Sequence, residues 1–318
     1  MVNAGPLRLV FCGTPEFAVP SLDALLAAGH QIALVVTQPD RPVGRRQILT
    51  APAVKQRAAQ HGLPIAQPEK IKQNEDFRAQ LESIAPDAIV VVAYGRIIPP
   101  WMLSLPRLGC INLHGSLLPR HRGAAPIQWA LALGDTVTGN TTMLLEAGLD
   151  TGPILLQQKI LIAPEQTALD LFPLLAQAGA PLLVVTLRGL ANGSIQPRPQ
   201  DEGTATLARI LERDDGRIRF AEYTAIELWN RWRGFQPWPG AFTAWQGRKL
   251  IVHRLRPVER NQAAAPALLH AENEKLFVAC ATNSWLELEE VQLEGKGRIT
   301  AAEFVRSNTF LPNSRLGE

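Results

Sequence analysis

The first half of the chain alternates short apolar runs with segments that have the periodicity of helices. The apolar runs, which predict strands, lie at residues 7–12, 31–37, 87–93 and 108–113. Runs this apolar are typical of strands that are buried on both faces. The pattern therefore predicts an α/β fold with a mostly parallel sheet covered by helices.

The predicted helices between these strands begin and end at recognisable residues. Thr14 is predicted to cap a helix that has Pro15 at its first position and Gly29 at its end. Two further helices are predicted at residues 52–60 and 125–133. The layout is Rossmann-like, but the loop at Gly13 lacks the G-x-G-x-x-G pattern that indicates a dinucleotide site.

Two alternating runs, 138–146 and 154–162, are typical of paired strands joined by the loop at 148–152. A long helical pattern at 167–190 then closes a first domain, predicted to span residues 1–192. Residues 193–206 are rich in proline, glycine and polar side chains, which indicates a surface linker.

Shorter elements follow in residues 207–318, the predicted second domain. A short helix is expected at 225–233, and strands are expected at 241–245, 249–256, 276–280 and 285–293. Several short strands with turn residues between them favour a small β-barrel.

Candidate chemistry lies at the end of the fourth apolar run. Asn112 and His114 are two residues apart, so in a strand their side chains point to the same face. An amide donor beside an imidazole suits a carbonyl substrate, because one group holds a developing oxyanion while the other moves protons. In open α/β sheets, ligands bind beyond the carboxyl ends of the strands, where residues 92–94 also fall. The alternative is a strand end whose polar residues only cap a loop.

Asp150 is the second candidate. It lies between Gly148 and Gly152, which allow the backbone to turn sharply and present the carboxylate in a loop. Such a carboxylate is able to orient His114 by accepting a hydrogen bond from it. The alternative is a turn stabilised by the aspartate, with no chemistry.

Together, the segments N-L-H-G-S-L-L-P at 112–119 and G-L-D-T-G at 148–152 resemble the catalytic signature of the 10-formyltetrahydrofolate-dependent formyltransferases. Other segments similar to this family lie at 11–18, 37–42, 92–95, 122–128 and 237–240. The resemblance thus covers most of the chain, from about Leu7 to Leu316.

The resemblance implies transfer of a formyl group from 10-formyltetrahydrofolate to the α-amino group of initiator methionyl-tRNA, which produces N-formylmethionyl-tRNA for translation initiation. In this reading Asn112 and protonated His114 stabilise the tetrahedral oxyanion, and Asp150 pairs with His114 and assists proton removal. The turn that resembles the family's folate-contacting segment consists of Ser116, Leu117, Leu118 and Pro119. The family also implies an OB-like, tRNA-binding second domain.

Three other functions remain open at this point. The acceptor could be a small amine such as a nucleotide or an amino sugar, or the enzyme could be a formyltetrahydrofolate hydrolase. Such relatives are expected to lack a barrel with the P-W-P-G segment at 237–240 and a basic loop at 41–46. The third is a non-catalytic RNA-binding protein, which the Asn112, His114 and Asp150 pattern argues against.

The distribution of charge adds a candidate surface for tRNA. Residues 41–68 contain five Lys or Arg and no acid, and residues 228–258 contain six, again with no acid and with four tryptophans. Segments of one sign are suited to a phosphate backbone. The candidate tRNA-binding residues are Arg41, Arg45, Arg46, Arg231 and Arg254. The alternatives are that most of the tryptophans are core residues and that the arginines at 231 and 233 form a solvated helix face.

Bulk properties narrow the class of protein. A chain of 318 residues suggests two domains. Three widely spaced cysteines in apolar runs favour reduced core thiols and a cytoplasmic protein. The N-terminus lacks a signal pattern, and no apolar run approaches the roughly 20 residues of a membrane span. No His, Cys and Asp cluster has ligand spacing, so no metal is expected. A monomer without an obligate protein partner is expected.

Overall fold

The computed structural model describes residues 5–44, 47–311 and 313–317. The chain divides into two compact units. The first takes Met1–Pro126, Val137–Leu161 and Leu171–Ala208, and the second takes Ile127–Thr136, Ile162–Asp170 and Arg209–Glu318.

The first unit is built on a seven-stranded sheet and a separate hairpin. Its strands, in chain order, are β1 (Arg8–Gly13), β2 (Gln31–Val36), β3 (Arg41–Val43), β4 (Ile48–Thr50), β5 (Ile65–Ala66), β6 (Ala88–Val92), β7 (Cys110–His114), β8 (Val137–Leu144) and β9 (Ile154–Leu161). The sheet has the order β5-β2-β1-β6-β7-β8-β9. The first five of these strands are parallel, and β8 and β9 are antiparallel additions at one edge. The predicted mostly parallel sheet is confirmed.

Both faces of the parallel strands are buried, as the continuous apolar runs predict. Alternate residues of β1 enter different cores, with Leu9 and Phe11 on one face and Val10 and Cys12 on the other. This arrangement follows from the two-residue period of a strand. Because β1, β6 and β7 run parallel, their carboxyl ends lie at the same edge of the sheet.

The helices of the first unit are α1 (Val19–Ala27), α2 (Ala53–Gln60), α3 (Glu75–Ile84), α4 (Pro100–Leu103) and most of α6 (Ala168–Ala191), while nearly all of α5 (Pro126–Ala132) belongs to the second unit. The prediction that Thr14 caps the first helix is wrong. A 3-10 turn, Glu16–Ala18, precedes α1, and Pro15 is the residue at its N-terminus. The hydroxyl of Thr14 instead donates to the carbonyl of Tyr94, 3.0 Å away.

The segment after β2, predicted as a basic loop at 41–46, contains two short strands. Strands β3 and β4 pair antiparallel, with Arg41 opposite Thr50. Gly44 at the turn has a φ of +72°, which suits glycine because it has no side chain to clash in this conformation. Arg45 and Arg46 lie outside the described residues.

The prediction that no apolar run approaches the length of a membrane span is wrong for helix α6. Its 24 residues are long and apolar enough for one by length and composition alone. A core helix of a water-soluble protein passes the same test, and Leu183 and Leu187 of α6 are fully buried against the sheet.

The second unit contains an antiparallel sheet. Its strands are β10 (Phe242–Trp245), β11 (Arg248–Val258), β12 (Leu269–Glu272), β13 (Lys275–Ala279), β14 (Trp285–Leu293) and β15 (Ile299–Thr300). The order is β10-β11-β14-β13-β12, and β15 pairs with β14. Among the described residues this path does not close on itself, so the predicted barrel is found only as an antiparallel sheet.

Two helices accompany this sheet, α7 (Ala225–Gly234) and α8 (Ala301–Ser307). Each begins with a capping box, in which a threonine and a glutamate three residues later satisfy backbone N–H groups reciprocally. Three elements of this unit, α8, β12 and β15, were not predicted from the sequence. They are too short to show a clear hydrophobic period, and their apolar residues, such as Phe304 and Leu269, are identified as core only by their packing in the structure.

Candidate active site

The site begins at the carboxyl end of β7, where the sheet changes from parallel to antiparallel. Asn112 pairs with Val91 of β6 on one side and with Met143 of β8 on the other. His114 lies opposite Thr141 of β8 and is 6% exposed. Strand pairing therefore holds the backbone of Asn112 from two sides and that of His114 from one.

Both ring nitrogens of His114 face protein groups. Nε2 lies 2.9 Å from the carbonyl oxygen of His121, and Nδ1 lies 3.7 Å from Oδ2 of Asp150. Because a carbonyl only accepts, Nε2–H is the donor, which leaves Nδ1 directed at the carboxylate. A separation of 3.7 Å is too long for a direct hydrogen bond, but it is within the range of an ion pair or of a water-bridged contact.

Asp150 is held in an uncommon backbone conformation. Its φ is +51°, in the left-handed region that non-glycine residues seldom adopt. Its Oδ2 accepts from the N–H of Gly123 at 2.8 Å, and its side chain is only 13% exposed. The turn points the carboxylate inward towards His114, while Leu149 beside it is 64% exposed. The sequence prediction that Asp150 approaches His114 agrees with this geometry.

Three residues that the sequence analysis missed support the Asp150 loop. The amide of Gln200 donates to the carbonyls of Asp150 and Gly152, both at 2.7 Å. Arg122 Nε donates to Gln200 Oε1 at 3.0 Å, and the two terminal nitrogens of Arg122 form paired bonds to Glu202 at 2.8 and 2.7 Å. No signal in the sequence marked Gln200 and Glu202, because they lie in the polar segment that resembles a linker.

The buried guanidinium of Arg122 is a fixed charge close to the site. It is 5% exposed, and its hydrogen bonds to Glu202 raise the pKa of Arg122 while they lower that of Glu202. An arginine this buried is stable only when it is paired and hydrogen-bonded, as it is here.

The predicted folate-contacting turn follows His114. Its buried members are Ser116, whose hydroxyl donates to Arg120 O at 2.7 Å, and Leu118, which packs on Met143 and Ile154. Leu117 and Pro119 are partly exposed. Because the side chains of Ser116 and Leu118 are buried, any contact of these two residues with a ligand would come from the backbone.

The neighbouring loop after β6 is also rigidly held. The carbonyl of Tyr94 accepts from the side chains of Thr14 and Gln38, both at 3.0 Å. The ring of Tyr94 is 1% exposed, and burial raises the pKa of its hydroxyl. This loop lies at the same edge of the sheet as the end of β7, as the sequence predicted.

The residues predicted to bind tRNA have different surroundings. Arg41 is exposed on the hairpin. Arg231 packs against the rings of Tyr223 and Phe235, with its guanidinium carbon 4.7 and 5.0 Å from their centroids. Arg254 is 64% exposed along its side chain and pairs with Glu289 at 2.7 Å.

The alternative of a solvated arginine face on α7 is wrong for one of its two residues. Arg233 is 5% exposed, stacks on Trp229 at 4.3 Å and donates to Gln166 O at 3.0 Å. Close by within the second unit, a hollow of about 640 Å³ is lined by Trp229, Trp232, Arg254, Arg256, Glu165, Glu289 and two apolar residues.

Within the ranges that the structure describes, no group of three or more His, Cys, Asp or Glu side chains is arranged to hold a metal ion. Cys12, Cys110 and Cys280 are free and buried, as the sequence predicted.

The chain matches two family models, described as Formyl transferase at residues 7–187 and as Formyl transferase, C-terminal domain, at residues 210–309. It is 61% identical to a methionyl-tRNA formyltransferase of Acidobacterium capsulatum, over 98% of this chain and 100% of that protein. It is 56% identical to a methionyl-tRNA formyltransferase of Koribacter versatilis, over 96% of each. Among solved structures, the sugar 3N-formyl transferase WlaRD shares the fold with a TM-score of 0.62 and 16% identity, over 92% of this chain and 100% of that one. The chain therefore belongs to the formyl transferase family, and over nearly all of its length it is similar to methionyl-tRNA formyltransferases.

Proposed function

We propose that the chain transfers the formyl group of 10-formyltetrahydrofolate to the α-amino group of initiator methionyl-tRNA. The observation that carries this proposal is the convergence of Asn112, His114 and Asp150 at the end of β7. The full-length similarity to proteins named methionyl-tRNA formyltransferase supports methionyl-tRNA as the acceptor.

We propose a folate as the formyl donor, bound at the edge of the sheet where the candidate site lies. WlaRD, which shares the fold, was solved in the presence of 5-N-formyl-THF, and this supports a folate as the donor. We assign the folate contacts to the turn Ser116, Leu117, Leu118 and Pro119, with Leu117 and Pro119 as its exposed members. The formyl group is already attached to a competent leaving group, so the proposed transfer requires no metal.

In the proposed reaction the amine nitrogen attacks the formyl carbon, and a tetrahedral intermediate with a negative oxygen forms. The bond from that carbon to N10 then breaks, and the proton lost by the amine is taken up by N10. Asn112 is the proposed donor to the oxygen, because the residue is only partly buried and no hydrogen bond from its amide to a protein group is found among the described residues.

His114 and Asp150 have the complementary task. With Nε2–H bound to His121 O, a protonated His114 places a positive charge beside the developing oxyanion. Asp150, 3.7 Å from Nδ1, stabilises that charge, accepts the proton from the attacking amine, directly or through a water, and passes it on to N10 as the bond from the formyl carbon to N10 breaks.

We assign tRNA binding to the basic hairpin and to the second unit, for which we retain the OB-like classification as a proposal. Arg41, Arg45, Arg46, Arg231 and Arg254 are the proposed contacts. The exposure of Arg41 and Arg254 supports their assignment. Arg231 is held by aromatic rings, so its contribution is expected to be smaller. We further propose that the enzyme works in the cytoplasm as a monomer.

The test is a transfer assay with two acceptors under identical conditions. Release of tetrahydrofolate is measured with charged initiator tRNA and, separately, with a free amino-sugar nucleotide. Rapid transfer to the charged tRNA and none to the small amine is the expected result. Efficient transfer to the small amine, or release of formate without an acceptor, would instead support one of the two alternative enzymes.

A further inference from the structure

Residues 198–208, here called the strap, form part of the first unit although their composition is that of a linker. Arg198 pairs with Ile154 of β9 through two backbone hydrogen bonds of 2.9 and 2.8 Å. Further along, Arg122 N donates to Thr206 O at 2.8 Å, and Ala208 N donates to Arg122 O at 2.6 Å. The strap thus lies beside the segment around Arg122, which holds the partner of His114, and beside β9, which follows the Asp150 loop.

One of these segments contains the carbonyl that accepts from His114. His121 has a φ of +62°, a second non-glycine residue in the left-handed region. Its N–H donates to the hydroxyl of Thr206 at 2.8 Å. The next glycine, Gly123, has a φ of +118°, and a Cβ there would lie 2.7 Å from Ala208 O. Strap and segment are therefore packed backbone against backbone.

The other segment is the Asp150 loop. Strained left-handed residues persist only where their surroundings determine the conformation. The amide of Gln200 supplies that determination, because one NH₂ group bonds to the carbonyls on both sides of the turn, those of Asp150 and Gly152. Arg122 fixes the other end of the same amide and is itself anchored by Glu202 of the strap.

We infer that Gln200 is a positioning residue for the reaction: it holds the left-handed turn that directs the Asp150 carboxylate at His114. The inference rests on the catalytic role proposed above for Asp150. Among the described residues, the hydrogen bonds of the Gln200 side chain run to the backbone of the loop and to the side chain of Arg122. Its effect on the reaction is consequently exerted through Asp150.

The test uses Gln200→Ala and Gln200→Met in the full-length enzyme. The second variant keeps the length of the side chain and removes its donor, so it controls for loss of packing. A fall in kcat of about 10- to 100-fold is expected in both, because small displacements of a catalytic group have effects of this size. The KM values for folate and charged tRNA should stay within about 2-fold, since Gln200 lies outside the proposed folate and tRNA contacts and acts on kcat through Asp150. Gln196→Ala is the matched control, because the side chain of this exposed glutamine of the preceding segment donates to Gly193 O and has no other hydrogen bond within the described part of the chain.

A double-mutant cycle decides whether Gln200 acts through Asp150. In an Asp150→Asn background, which keeps a residue that tolerates the left-handed turn, Gln200→Ala should lower kcat by less than about 2-fold. An equal fall in both backgrounds would overturn the inference and leave Gln200 a general structural role. Unchanged kcat in Gln200→Ala and Gln200→Met would also overturn it, while a rate loss in Asp150→Asn would keep the proposed role of Asp150 intact. If Asp150→Asn alone kept full activity, the proposed role of Asp150 and the inference would fall together.

Discussion

At the scale of single residues, hydrogen bonds restrict the conformations of His114 and Asp150 in the candidate site. His114 is hydrogen-bonded at Nε2 and faces the Asp150 carboxylate with Nδ1, and Asp150 is hydrogen-bonded at one carboxylate oxygen and at its own carbonyl. Fixed donors and charges stabilise a transition state without reorganisation during the reaction. The side-chain amide of Asn112 makes no hydrogen bond within the described residues, in keeping with its proposed role as donor to a substrate oxygen.

Replacement of Asn112 by alanine is expected to lower kcat by about 10²–10³-fold, the usual effect of losing one oxyanion donor. The KM for charged tRNA should change little, because the lost bond forms mainly in the transition state. Steady-state kinetics with both substrates measure this. Asn261→Ala, at an exposed position of the second unit, is the control. Near-normal turnover in Asn112→Ala would exclude the amide as the oxyanion donor.

The three cysteine thiols are expected to be unreactive in the folded protein. Burial raises the pKa of Cys110 and of Cys280 to about 12 each, and burial also raises that of Cys12. The thiolate is the reactive form, so little of it exists near about pH 8. Iodoacetamide followed by mass spectrometry should show no alkylation of the native protein and three modified thiols after denaturation. Rapid alkylation of any one of them in the native state would contradict its burial.

At the scale of elements, the connection between β8 and β9 is what brings Asp150 to β7. The two strands pair along their length, and a register shift falls between Thr142 and Met143, next to the loop. Gly152 makes the close approach possible, because a Cβ at this position would lie 1.9 Å from the carbonyl oxygen of Leu144. Since the obstacle is backbone, it cannot move aside as a flexible side chain would.

Gly152→Ala is therefore expected to destabilise the protein by on the order of 1–3 kcal/mol, the usual cost of overpacking. It should also lower kcat, since the loop that carries Asp150 must shift. Denaturant unfolding and kinetics measure the two effects. Gly297→Ala is the matched control, because nothing lies within 4 Å of its Cβ position. Equal stability of the two variants would show that the β8–β9 connection adjusts without cost.

At the scale of the whole molecule, the net charge of +3 is too small to indicate a polyanionic partner. Its distribution is more informative, and the structure shows that the basic residues differ in how far they are neutralised. Arg254 and Arg256 share Glu289, and Arg256 also pairs with Glu287. Arg41 lies exposed on the β3–β4 hairpin, and no ion pair to it is found among the described residues.

The KM for charged tRNA is expected to rise with salt while the KM for folate stays nearly constant. Counterion release gives a log–log slope in affinity of roughly −0.7 to −0.9 per phosphate neutralised. Arg41→Ala should flatten the slope by about one contact, and Arg254→Ala by less, because Glu289 already neutralises it. Arg306→Ala, an exposed arginine paired with Glu274, is the control. An acceptor KM that stays flat from low to physiological salt would argue against recognition of tRNA phosphates.

The sequence by itself determined the parallel strands of the first unit and the position of the candidate site residues Asn112 and His114 on one of them. Runs such as 87–93 are buried on both faces, so their hydrophobicity is continuous and local, and the positions of Asn112 and His114 follow from the two-residue period of β7. Short elements such as α8 have too few residues for a period to emerge. The closed barrel was predicted from several short strands with turn residues between them, together with the family resemblance, and a pattern of strands does not specify which edges pair.

Only the tertiary structure decided how the Asp150 loop is held. The partners of that loop are Gly123, Gln200 and, through Gln200, Arg122, which are separated from Asp150 by 27, 50 and 28 residues, counted along the chain. Local propensity carries no information on contacts at such separations, and the polar composition of residues 193–206 is equally compatible with a free linker. Whether residues 193–206 form a free linker or support the candidate site therefore depends on tertiary packing. The amide of Gln200 supports the Asp150 loop only because the fold brings the carbonyls of Asp150 and Gly152 within hydrogen-bond distance of it.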